Sequence, residues 1–178
     1  MQRFQRHTIS TPRISMRQRR TSALSFGLLV DGVSAGFAAT LAMSAVMVLN
    51  DRLSLIPQVD LIRDLRHANQ NLTGLKTPFL LAWFIHLILG SYVFGCVFAL
   101  VFEYLSGSPV IRGIYFGLAI WLGLMLTAFP LLGYGLFRFG LAAGATPAAA
   151  ILVLHLVYGF ALGIAFGSVH AMTDPAKG

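Results

Sequence analysis

Apolar positions along this chain gather into four long blocks, near residues 24–49, 79–104, 110–133 and 148–171. Each is longer than the roughly 18–20 apolar residues that cross a bilayer as a helix. Strong charge is nearly absent inside them. Asp31, Glu103 and Arg112 fall at their edges, where headgroup contact is cheap. None shows the alternation of a barrel strand, and a helix satisfies its own backbone in lipid. The pattern predicts an all-α, polytopic membrane four-helix bundle over residues 24–172, with an arm at 1–23 and a tail at 173–178.

Two intervals between the blocks carry patterns of their own. In "PQVDLIRDLRHANQNL", Leu61, Leu65, Ala68 and Leu72 share one helical face with Ile62 beside them, while Asp60, Arg63, Asp64 and Asn71 take the others. This predicts an amphipathic helix near 58–72, lying in the membrane interface on the outer side. A helix docked on a partner carries the same pattern. In "PLLGYGLFRFGLAAGATP", Gly133, Gly135, Gly140 and Gly144 alternate with Leu136, Phe137, Phe139 and Leu141, between Pro130 and Pro147. This predicts a broken hairpin that dips into the interface, with Arg138 at the headgroups.

The order of short elements repeats. "GVSAG" (Gly32 to Gly36) precedes "HLILG" (His86 to Gly90), and "GIYFG" (Gly113 to Gly117) precedes "HLVYG" (His155 to Gly159). The pattern predicts a parallel two-helix internal repeat about an axis along the membrane normal. Gly32, Gly36, Gly113, Gly117, Gly163 and Gly167 are expected at helix-packing seams, where small residues let backbones approach. Two further small-residue stripes are expected to pack: Ser91, Gly95 and Ala99, and Ala119, Gly123 and Thr127.

Composition agrees with a membrane chain: 57% of residues are hydrophobic and 11% charged, against about 25% charged in soluble domains. The net charge of +7 does not indicate nucleic acid, because Arg3, Arg6, Arg13, Arg17, Arg19 and Arg20 all precede the first acidic residue, Asp31. Such a block marks the cytoplasmic side. The expected location is the bacterial inner membrane, with both termini cytoplasmic. The arm is also rich in serine and threonine, as transit peptides are, so the mitochondrial inner membrane is the alternative. The lone Cys96 excludes an intrachain disulfide and reads as a core residue.

From the third block onward, "RGIYFGLAIWL", "FPLLGYGLFRFG" and "LVLHLVYGFALGIAFG" resemble a family of small four-helix bacterial membrane proteins of unknown function, YagU-like in style. Ala35, Gly36, Ala39, Thr40, Met43 and Met47 match the first-span pattern of that family. The resemblance covers most of residues 26–170 and implies an inner-membrane four-helix fold with no established activity.

The remaining chemistry lies in two histidines. His86 and His155 sit at similar places in the second and fourth blocks, and the repeat predicts that they face each other at equal depth. That geometry suits bis-histidine ligation of haem b, with Gly90 and Gly159 clearing the porphyrin and Tyr158 or Arg138 at its edge. Structural histidines bonded to a neighbouring helix are the favoured reading, so no cofactor is expected. Two ligands are too few for zinc. No aligned acid completes a hydrolytic triad, and no phosphate-binding motif is present. The expected role is therefore non-enzymatic: a structural or accessory subunit packing against lipid and against other membrane proteins or further copies of itself. A haem electron-transfer module and a small oligomeric transporter are the alternatives.

Overall fold

The computed structural model describes residues 16–56, 59–140 and 143–173; most of the basic arm and the tail after Thr173 lie outside the described residues. Five helices follow in order. They are α1 (Met16–Leu53), α2 (Leu61–Thr73), α3 (Phe79–Tyr104), α4 (Pro109–Leu131) and α5 (Thr146–Thr173). Over Phe26–Leu53, Phe79–Tyr104, Pro109–Leu131 and Thr146–Met172 the chain is long and apolar enough to cross a membrane four times. The fold is all-α, with no strand among the described residues.

α1 and α5 lie against each other at the centre, α3 packs on α1, and α4 packs on α5. Phe98, Phe102, Phe116 and Phe166 form an aromatic cluster between them, with ring centroids 4.6 to 5.5 Å apart. The outer faces stay apolar, as at Leu80, Leu100 and Tyr115.

Glycine decides how close the outer helices come. A Cβ on Gly32 would strike the Gly95 carbonyl oxygen, and one on Gly36 the carbonyl oxygens of Gly90 and Ser91. In the second hairpin, a Cβ on Gly113 would strike the Gly159 carbonyl and one on Gly117 the His155 carbonyl. Gly163 and Gly167 leave room for the start of α4 at Pro109. The two hairpins therefore cross through equivalent glycine pairs, with α3 and α5 running in the same sense.

The register of the repeat differs from the one that the matching "HLxxG" strings predict. By their contacts, Gly95 is the counterpart of Gly159, and Ser91 with Gly90 is the counterpart of His155. A π turn at Leu89–Phe94 in α3 takes up one extra residue of this shift; the rest arises because α3 meets α1 through Gly95 and Ser91, beyond the "HLILG" string, rather than through it. His86 thus precedes its hairpin's contact glycine, Gly95, by nine residues, while His155 precedes Gly159 by four. The histidines are not symmetry mates at equal depth.

One expected seam is absent. Ala119, Gly123 and Thr127 face outward, and nothing lies within 4 Å of a Cβ placed on Gly123. α4 turns its other face to α5, through Gly113 and Gly117.

α2 begins where Asp60 caps it, its carboxylate accepting from the Arg63 N–H at 2.8 Å. It ends at Gly74, whose φ of 73° suits a left-handed stop. Its apolar face does not lie free in the interface. Ile62 is buried, and Leu61, Leu65 and Ala68 close over the end of the bundle.

Candidate functional site

Beneath α2 lies a cavity of about 190 Å³. α1 contributes Thr40 and Met43, α3 contributes His86, Leu89, Gly90 and Phe94, and α5 contributes His155 and Tyr158. α4 lines another side with Ile120, Leu124 and Ala128. Leu124–Ala128 is a second π turn. Both π turns of the described residues therefore meet at one cavity, and such turns in otherwise regular helices commonly mark functional sites. Toward the chain termini, Phe98 of α3 meets Phe116 of α4.

Several polar groups of this wall have hydrogen-bond partners. His155 Nδ1 lies 2.8 Å from the Ile151 carbonyl, one turn earlier in α5. His86 Nε2 lies 3.2 Å from Ser44 Oγ on α1. The Tyr158 hydroxyl crosses the bundle and donates to the Gly90 carbonyl at 2.7 Å, inside the π turn. Thr40 donates to the Gly36 carbonyl at 2.6 Å. Gly90 is small because Thr40 occupies the space a Cβ would need, and Gly159 because the Gly113 backbone does. Both glycines thus serve helix contacts, and Gly90 lines the cavity as well.

A buried ion pair closes the α2 end. Arg138 is 1% exposed and Asp64 3% exposed, with a guanidinium nitrogen 2.5 Å from the carboxylate. Arg138 also lies between two rings, 4.6 Å from the centroid of Phe129 and 4.5 Å from that of Tyr134. Burial pushes the Asp64 carboxyl above its ordinary range, and the positive charge of Arg138 pulls it only part of the way back. Burial, and then the nearby Asp64 charge, raise the Tyr134 hydroxyl. Phe137 and Arg138 have positive φ values of 50° and 60°, and non-glycine residues hold such backbone only where the surroundings over-determine it.

This pair corrects two expectations. Asp64 points into the bundle rather than along a solvated face of α2, and Arg138 is buried rather than at the headgroups. Both errors share a cause: the apolar loop after α4 folds back over α2, so each charge meets its partner inside. Asp31 is likewise buried, with His170 of α5 at 3.5 Å.

A family model matches residues 27–177, and its description is a family of unknown function (DUF6789). The chain belongs to this family. The match begins just inside α1, so the basic arm stands outside the DUF6789 region. No curated protein and no solved structure matches the chain. The DUF6789 fold is thus seen here without a functional precedent, and its cavity must be read from its own chemistry.

Of the residues singled out in the sequence, His86, His155, Gly90 and Tyr158 do come together around one cavity of this DUF6789 member. Gly159 does not line it. Sequence reasoning missed Asp64, whose position one turn after the cap residue Asp60 made it look solvated. It also missed Thr40 as a wall residue. The available signal was the lone arginine in an apolar loop, since a charge in such a setting calls for a buried partner.

Proposed function

We propose that the protein is a non-enzymatic integral membrane protein that takes a small lipid-soluble molecule into the cavity between α3 and α4. The observation that carries this reading is the convergence of both π turns and both span histidines on one apolar cavity. Ionisable side chains within membrane spans are costly, and a cavity wall is where they have a use. An apolar cavity of roughly 150 Å³ in another protein stays dry and accepts benzene, so one of about 190 Å³ has room for a one-ring molecule. The outward apolar side chains, such as Phe84, Leu100 and Tyr115, are compatible with an accessory subunit, but lipid covers them equally well. The arginine block supports a plasma-membrane setting with cytoplasmic termini.

Ethylbenzene is expected to raise the Tm of the detergent-purified protein. Ala128→Phe, which fills the cavity from the α4 side, is expected to abolish that rise. An equal rise in both proteins, or none in the native one, removes the reading.

One observation favours haem b as a second reading. Metal-ligating imidazoles commonly donate their other N–H to a backbone carbonyl, as His155 does to Ile151. Against it, pockets for drug-sized ligands start at roughly 300 Å³, and this cavity is smaller than that. A haem would have to part α3 from α4. The visible spectrum of protein from haem-replete cells is expected to lack a Soret band; a band lost in His86→Ala and His155→Ala establishes the haem reading instead.

A further inference from the structure

The hydrogen-bonding inventory of the cavity wall narrows what it accepts, granted the ligand-binding reading above. His155 Nδ1 bonds the Ile151 carbonyl oxygen. A carbonyl oxygen only accepts, so Nδ1 carries a proton. An imidazolium facing so apolar a cavity is costly, so the ring is neutral and its Nε2 is a bare acceptor. Nε2 has no hydrogen-bond partner among the described residues, and the ring lines the cavity.

The neighbouring hydroxyls have no proton to offer it. Tyr158 gives its proton to the Gly90 carbonyl, and Thr40 gives its own to the Gly36 carbonyl. His86 is turned to Ser44, and Asp64 to Arg138. The wall therefore presents His155 Nε2 as an acceptor in largely apolar surroundings, with the Tyr158 and Thr40 protons already given elsewhere. An acceptor that opens onto so apolar a cavity is costly to leave unmet, and the ligand that meets it must bring an O–H or N–H.

We infer that the cavity selects a neutral, lipid-soluble molecule with a hydroxyl on a single ring, the phenol and quinol class, whose O–H donates to His155 Nε2. Ring and hydroxyl answer separate features. The ring fills the space between Leu89, Phe94, Ile120 and Leu124, and the hydroxyl supplies the missing proton. Quinone carbonyl oxygens only accept, so they would face the His155 lone pair without a bond. The same argument disfavours ethers and plain hydrocarbons, which fill space but leave Nε2 unmet.

The test uses a matched pair. Binding of 4-ethylphenol and of its methyl ether, 4-ethylanisole, is measured by titration calorimetry on the full chain in lipid nanodiscs, with empty nanodiscs as the baseline. The phenol is expected to bind about tenfold more tightly, as one net hydrogen bond implies, although the ether is more apolar. His155→Phe keeps a ring at this place but has no acceptor, and in it the two probes are expected to bind alike. On the native chain, the ¹⁵N resonance of His155 Nε2 is expected to shift with the phenol and to stay with the ether, a readout that needs no variant. Equal binding of the pair by the native chain, a preference that survives His155→Phe, or an Nε2 resonance that ignores the phenol overturns the inference. If the ether binds as well as the phenol, the cavity still takes ligands and only the hydroxyl selection falls. If neither probe binds, the ligand-binding reading falls, and this one with it.

Discussion

Asp64→Leu is expected to destabilise the folded protein by about 3–5 kcal/mol, the range for removing one partner of a buried ion pair. It leaves the Arg138 guanidinium buried beside Phe129 and Tyr134, and arginine has no neutral form to retreat to. Arg138→Met is expected to cost less. The carboxyl it leaves behind is already held above its ordinary range by burial, so Asp64 escapes its charge by taking a proton. That cost shrinks as the pH is lowered toward the ordinary aspartate range. There the folded state binds the proton more readily than the unfolded chain, so acid favours folding. The double variant, Asp64→Leu with Arg138→Met, is expected to recover most of the loss, because neither charge is then stranded. Equilibrium unfolding of the three variants in detergent orders them; a double variant no more stable than Asp64→Leu alone would show that the pair does not hold α2 in place.

Gly159→Ala is expected to destabilise the second hairpin by about 1–3 kcal/mol, as overpacking does elsewhere. Its new Cβ would sit 3.0 Å from the Gly113 carbonyl carbon and 3.2 Å from the Gly117 Cα. These are backbone atoms, so no side chain can swing aside and α4 must move off α5. Gly123→Ala is the control, since nothing lies near its Cβ and the residue faces outward. There the gain in helix propensity is expected to stabilise by about 0.5–1 kcal/mol. Thermal unfolding of both variants decides the matter. A Gly159→Ala protein as stable as the native one would mean that the α4–α5 contact is looser than the structure has it.

Much of this molecule is legible in its residue pattern alone. The four apolar blocks coincide with the four apolar spans to within a few residues, because bilayer thickness and internal backbone bonding leave little choice, although α1 itself begins earlier, at Met16. α2 follows from the spacing of Leu61, Leu65 and Ala68. The glycine pairs Gly32–Gly36 and Gly113–Gly117 stand at the helix contacts they were expected to make. The stripe through Gly123 does not, because a ladder of small residues says that a face can pack, not that a partner lies there.

The sequence by itself determined the spans, the amphipathic helix and the two glycine-hinged hairpins, since each depends on local periodicity, residue size and solvation in lipid. Only the tertiary structure decided the register between the hairpins. Spacing within a span does not show which glycine meets the facing helix, and that choice, with the π turn in α3, sets His86 and His155 in unequal positions around one cavity. It also decided the fate of Asp64 and Arg138. They lie 74 residues apart in the chain, and no pattern within either segment shows that the fold turns both inward. Whether a charge is solvated or buried depends on what covers it, and that cover comes from elsewhere in the chain.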